Sequence, residues 1–394
     1  MRHAYFRNMT VTSALGRGCD ATLHALREHR SGLARNAFAG EHYDTWTGVV
    51  EKLDGVALPI GMERFDCRSN RLIELALLQD GFADAVLATR EKHGAHRVGL
   101  YVGTSSAGIL EVELGYRVRD REVRALPDGL RYREAMNLFS PAAYVAERFK
   151  LSGPIAVVSS ACSSSAKAFA SAWRAMHAGL CDAAIVGGVE TLCFTTLHGF
   201  ASLELLSRAP CRPCDAGRDG ISLGEAAGFV LLTRDRGDAA VALAGYGESA
   251  DAHHLSTPHP EGAGAAMAMA SALRQAGWQR SDVDYVNLHG TATRTNDVAE
   301  DAAIRAVVGD EVPRSSTKGW TGHALGAAGL VEAVITAMAI RHSFIPGTLN
   351  CSTVDAAIRG NVELSGRASP VRAALTNSFG FGGSNCTLAL AGVR

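Results

Sequence analysis

Short apolar, β-branched runs alternate with longer Ala-rich runs of helical spacing along most of this chain. That alternation constrains the fold more than any other feature, because it specifies an α/β architecture. Strand-like runs fall at 97–102, 155–158, 183–187, 228–232, 285–288 and 373–377. Helix-like runs fall at 69–87, 141–149, 164–178, 262–276, 297–308 and 327–341. A polar stretch at 233–238 is the nearest thing to a seam, giving an expected division into 1–234 and 235–394. A strand, a Ser- or Asn-rich corner and a small-residue segment follow one another at 155–165 and again at 373–384, an echo that points to two halves of related plan.

The bulk properties exclude several classes of function. The 394 residues are 47% hydrophobic and 20% charged, with a formal net charge of −1. Such a balance offers no electrostatic argument for nucleic acid or an anionic membrane. The longest apolar stretch, 324–340, is interrupted by Glu332 and falls short of a membrane span, so it reads as a core helix. The first residues lack the apolar core of an export signal, which makes the cytoplasm the expected location. Nine scattered cysteines suit a reducing compartment. Cys211 and Cys214 form a lone C-x-x-C without the second pair that zinc requires. His253, His254 and His259, with Asp251 nearby, read as a polar loop rather than a metal site.

Cys162 occupies the corner between a buried strand and an Ala-rich helix, with Ser163, Ser164 and Ser165 where a cap belongs. A free cysteine is most often a small buried hydrophobe. At a helix start, however, unpaired N–H groups favour the thiolate, and the thiol becomes a candidate nucleophile. Three later segments supply companions. His289 stands at a strand tip, followed by Gly290, Thr291 and Thr293, whose hydroxyls share one side of an extended segment. Lys318 precedes His323 and a Gly/Ala-rich helix. The Gly-rich run 377–385 offers main-chain N–H groups for an oxyanion hole. Singly each has a bland structural reading; together they suit acyl transfer to sulfur followed by carbanion chemistry.

These segments resemble the elongating β-ketoacyl-acyl-carrier-protein synthases. The resemblance rests on the run around Cys162, on His-Gly-Thr-x-Thr at 289–293 and on Ser-Thr-Lys-x-x-Thr-Gly-His at 316–323. It extends to Asn-Ser-Phe-Gly-Phe-Gly-Gly-x-Asn at 377–385 and to the runs 212–220 and 223–228. It covers about 99–390 and implies a thiolase-like fold of five αβαβα layers in two similar halves. It implies that Cys162 accepts the acyl chain, that His289 and His323 stabilise the enolate formed on loss of CO₂, and that the backbone N–H groups of Cys162 and Phe381 form the oxyanion hole. Phe381 would gate the acyl pocket, Thr291 and Thr293 would hold the phosphopantetheine arm, and Lys318 would pair with Glu300.

No metal or redox cofactor is called for. An acyl carrier protein is the implied partner, along with a second copy or a related ketosynthase-like subunit. Arg64, Arg68 and Arg71, at i, i+4 and i+7, are a candidate basic dock for that acidic carrier. Ile221, Ser222, Trp320 and Cys214 depart from the family's pattern and leave the acyl chain open. Together with the run 199–207, they make the chain look closer to synthases of specialised pathways, such as aryl-polyene or polyketide assembly. Two other readings remain: a non-catalytic chain-length partner, which would lack the nucleophile, and a thiolase or acyltransferase on the same fold, of which a thiolase would use a second cysteine near the C-terminus, where this chain has Cys386.

Overall fold

The protein is described by a computed structural model covering residues 3–38, 43–120, 122, 125–127 and 130–393. Ten strands carry the architecture. The first half supplies β1 (Ala4–Ser13), β2 (Val98–Gly103), β3 (Ile155–Val158), β4 (Ala183–Glu190) and β5 (Ala226–Thr233). The second supplies β6 (Val241–Ala250), β7 (Tyr285–Asn287), β8 (Arg314–Ser315), β9 (Ala373–Gly380) and β10 (Ser384–Gly392). In space they run β3-β2-β4-β5-β1 and then β6-β10-β9-β7-β8. In each half the first strand lies antiparallel to the last, which is antiparallel to the fourth; the other pairings are parallel. The two halves therefore share one topology. Their sheets are joined strand to strand where Ala4 and Tyr5 of β1 meet Leu243 and Ala242 of β6.

The helices segregate by layer; α1 (Gly18–Arg27), α4 (Ile109–Arg117) and α7 (Phe194–Ser202) are further helices of the first half. Between the sheets lie α6 (Ser164–His177) and α11 (Ala328–His342), whose apolar side chains form one core with β1, β4, β5 and β10. Outside the first sheet, α2 (Arg68–Leu77), α3 (Phe82–His93) and α5 (Ser140–Arg148) close a second core. Outside the second, α8 (Ala263–Ala276) and α9 (Arg294–Val307) close a third. Five layers result, as the resemblance implied. Alternation along β4 shows why the strands read as continuous apolar runs: Ala184 and Val186 face the central core while Ile185 and Val189 face the outer one. The apolar segment Leu325–His342 is long enough to cross a membrane by length and composition, yet 89% of it is buried inside the protein.

Two sequence expectations change. The single helix over 69–87 is broken between α2 and α3, where Asp80 and Gly81 take left-handed φ of 55° and 65°. Asp80 there turns its carboxylate back to accept from Cys19 N at 3.1 Å. Strands β1, β6 and β10 escaped the sequence reading because their Gly, Thr, Asn and Arg content hides the apolar pattern.

Candidate active site

Cys162 sits just before α6, and its corner is built by serines. Ser164 Oγ donates to Ala161 O at 2.6 Å and accepts from Ser160 N at 2.9 Å, while Ser163 Oγ donates to Ser160 O at 2.8 Å. Ser163, the residue before the helix, makes no side-chain cap to it, so these serines fix the corner rather than the helix start. Ala161 is held at φ 50°, a left-handed conformation costly for a residue with a Cβ, directly before the cysteine.

His289 follows the tip of β7. Gly290, at φ 41°, lets the chain turn against Ser316: a Cβ there would fall 2.5 Å from Ser316 Cβ. The buried Glu300 carboxylate of α9 pins this turn, accepting from His289 N and Gly290 N at 2.8 Å each and from Asn377 Nδ2 at 3.1 Å. Burial pushes Glu300 up to about 7 against those hydrogen bonds. His323 lies in the turn between α10 (Lys318–Thr321) and α11.

These elements bring the three side chains together. His323 Nε2 lies 3.0 Å from Cys162 Sγ, and the His289 and His323 rings stand edge to face with centroids 5.4 Å apart. All three are buried. Burial, then the nearby Lys318 charge, holds both imidazoles well below their ordinary titration range, so both are neutral. Burial also pushes the Cys162 thiol up to about 12, against the Lys318 charge and the Phe381 backbone N–H, which points at the sulfur. The expectation that the helix start favours thiolate is thus overturned: loss of water around sulfur outweighs it.

Lys318 does not pair with Glu300. Its ammonium donates to Glu332 of α11, to the His289 carbonyl and, at 3.4 Å, to His289 Nδ1. Glu300 approaches the same turn from α9 and is occupied by main-chain donors; α11 brings Glu332 to the lysine instead. An ammonium has no lone pair, so His289 Nδ1 must be the acceptor and Nε2 carries the proton. Glu332 was visible in the sequence only as a charge inside an apolar run, the pattern a buried partnered carboxylate leaves.

The trio opens on a cavity of about 300 Å³ whose walls include Thr291, Thr293, Phe200, Ile221 and Phe381. The two threonine hydroxyls lie 3.0 Å apart. Phe381 rests against Phe200, with centroids 5.7 Å apart. Arg218, which the sequence shows only within the run 212–220 and without a role, is buried and donates to Thr293 O at 3.2 Å, Arg294 O at 3.1 Å and Asp355 at 2.6 Å, supporting that wall.

Other candidates fall away from the cavity. Cys211 and Cys214 are free and buried, the former donating to Lys318 O at 3.2 Å. Cys386 is buried within β10, inside the central core. The arginines of the candidate dock are spoken for: Arg64 pairs with Glu147, Arg68 with Glu225 at 2.7 Å and Asp54 at 3.1 Å, and Arg71 with Asp66 at 2.6 Å. The sulfur and the imidazole nitrogens of Cys162, His289 and His323 are the only His/Cys/Asp/Glu set at metal-ligand spacing among the described residues. A soft cation would have to bind there beside the Lys318 ammonium.

Comparison with known proteins decides what this arrangement belongs to. Residues 12–237 match the family model for the β-ketoacyl synthase N-terminal domain, and residues 240–352 match that for its C-terminal domain. The chain belongs to the β-ketoacyl synthase family. Among its relatives, 3-oxoacyl-[acyl-carrier-protein] synthase 2 of Rhizobium meliloti is 37% identical over 80% of this chain and 79% of the relative. That of Coxiella burnetii is 35% identical over 100% of this chain and 99% of the relative. The β-ketoacyl synthase architecture is equally plain in solved structures. The ketosynthase ApeO of Xenorhabdus doucetiae, determined in complex with its chain length factor ApeC, superposes with a TM-score of 0.90 at 34% identity, covering 100% of this chain and 98% of its own. A β-ketoacyl synthase from Burkholderia phymatum gives 0.88 at 28% identity, covering 100% of both chains.

Proposed function

We propose that this β-ketoacyl synthase condenses an acyl chain carried on Cys162 with malonyl-carrier protein, releasing CO₂ and leaving a β-ketoacyl chain on the carrier. The observation that carries the reading is the convergence of one thiol and two neutral imidazoles in a single buried cavity, with Sγ 3.0 Å from His323 Nε2. In the first half-reaction, Cys162 attacks the acyl thioester and the carrier leaves as a free thiol, its proton coming from Cys162. The oxyanion forms against the Cys162 and Phe381 N–H groups. Splitting the condensation this way replaces one hard step with two easier ones.

In the second half, the malonyl thioester carbonyl sits between His289 and His323. His289 Nε2–H, fixed by Lys318 at Nδ1, and His323 from across the cavity donate to that oxygen as it becomes an enolate. The donors are preorganised, so they act on charge only as it develops. The enolate carbon attacks the acyl thioester on Cys162, the C–S bond breaks, and the sulfur leaves as a thiolate that takes a proton from water. Two neutral imidazoles suit this step, because an imidazolium would bind the malonyl carboxylate and oppose its loss. Thr291 and Thr293 hold the amides of the carrier's arm along the cavity wall.

Cys162 argues against a chain-length partner, and the burial of Cys386 argues against a thiolase. The enzyme acts with a second subunit, either its own copy or a ketosynthase-like relative. Support comes from β3, an apolar strand at the sheet's edge, half-buried throughout, and from the exposed Tyr116, Val118 and Tyr132. Its free cysteines suit a reducing cytoplasm.

Purified protein supplied with acyl- and malonyl-carrier should yield CO₂ and a carrier-bound chain two carbons longer, with chromatography giving the mass of a dimer. CO₂ release without a longer chain, in every pairing of acyl donors tried, would reject the condensing assignment.

A further inference from the structure

A buried carboxylate stands beside the cavity and has no part in the chemistry above. Glu190 ends β4 and is 1% exposed. Its hydrogen-bond partners are all neutral. Oε2 accepts from Ser105 N at 2.9 Å, Ser105 Oγ at 2.5 Å and Gly326 N at 2.9 Å; Oε1 accepts from Ser106 N at 2.9 Å and from Ser106 Oγ. Those donors fill the lone pairs a carboxylate offers. Ser105 and Ser106 belong to the turn after β2, and Gly326 to the turn Leu325–Ala327, which begins two residues after His323. A Cβ at position 326 would fall 2.6 Å from both Glu190 Oε2 and Ser105 N, so this approach requires glycine. Glu190 thereby ties the His323 turn to the ends of β2 and β4.

We propose that Glu190 is a positioning residue: its carboxylate fixes the His323 turn through Gly326 N–H. The inference rests on His323 donating to the enolate oxygen.

Two variants test the clamp from its two sides, each read by kcat and KM for malonyl-carrier decarboxylation and by urea unfolding. Glu190→Asp shortens the arm, so the carboxylate no longer reaches Gly326 N: kcat should fall at least about tenfold with KM unchanged. Gly326→Ala sets a Cβ 2.6 Å from Glu190 Oε2 and Ser105 N, parting the same contact, and should lower kcat in the same way. Wild-type kcat in a folded Glu190→Asp enzyme would overturn the proposal, as would a rise in KM at unchanged kcat. If Glu190→Asp does not fold, Gly326→Ala decides by the same two criteria. Decarboxylation by wild type without any condensation product would sink the proposed function and leave the comparison of variants, and the role of Glu190, standing.

Discussion

Replacing Lys318 with methionine separates what the buried ion pair does for stability from what it does for catalysis. Lys318 and Glu332 side chains are 2% and 3% exposed, so water screens neither. Removing one partner of such a pair strands the other, at about 3–5 kcal/mol. With an unfolding entropy of about 2.1 cal/mol/K per residue, a chain of 394 residues loses roughly 1.2 °C per kcal/mol, so Tm should fall by ~4–6 °C. Glu332 limits the loss by taking a proton. Burial already holds it at about 7 with the lysine present, and removing the cation raises it further. A carboxylate whose folded value lies above its unfolded one stabilises most below the unfolded value, near 4.5, and loses that contribution as pH rises through the folded one. The defect should therefore be larger at pH 9 than at pH 6. Adding Glu332→Leu removes the stranded carboxylate and should restore most of the lost Tm. Catalysis should not return, because His289 Nδ1 still lacks its donor; malonyl decarboxylation should stay down about 10²-fold or more in both variants. Calorimetry and CO₂ release measure the two effects. A double variant no more stable than Lys318→Met, or wild-type decarboxylation by either, would refute the reasoning.

Other outcomes follow from the same geometry. His289 and His323 stay neutral in the fold but take up protons when unfolded, so unfolding free energy should fall as pH drops below about 6.5, by about 1.4 kcal/mol per unit for each histidine. His289→Gln with His323→Gln should flatten that slope in pH-dependent denaturation; an unchanged slope would contradict the neutral assignment. Ile221→Phe narrows the cavity beside Phe200 and should shorten the longest acyl chain loaded, read by the mass of the adduct; unaltered chain length would remove Ile221 from the acyl wall. Arg68→Ala strands Glu225, whose side chain is fully buried, and should cost about 3–5 kcal/mol in urea unfolding; carrier affinity lost at unchanged stability would restore Arg68 to the dock.

Much of the site was legible because its residues fall in short segments at strand tips and turns, where local sequence dictates backbone. The corner at Cys162, the tip at His289 and the Gly-rich run around Phe381 are all of this kind. What could not be read depends on packing between distant segments. The partner of Lys318 is settled by how α11 passes beneath the lysine, and nothing local favours Glu332 over Glu300. Arg64, Arg68 and Arg71 looked like a solvent-facing stripe, but Glu147 and Glu225 come from elsewhere in the fold to meet Arg64 and Arg68, while the nearby Asp54 and Asp66 take Arg68 and Arg71. Glu190 was silent for the same reason: its donors lie 84, 85 and 136 residues away. The break between α2 and α3 could have been read from Asp80-Gly81, a turn dipeptide inside an otherwise helical run.

Intact-mass spectrometry of the enzyme given acyl-carrier protein, with Cys162→Ala alongside, tests the central claim most directly. The account predicts a mass gain of one acyl group on the wild-type chain, absent from the variant and discharged when malonyl-carrier is added. An adduct that persists in Cys162→Ala would contradict it.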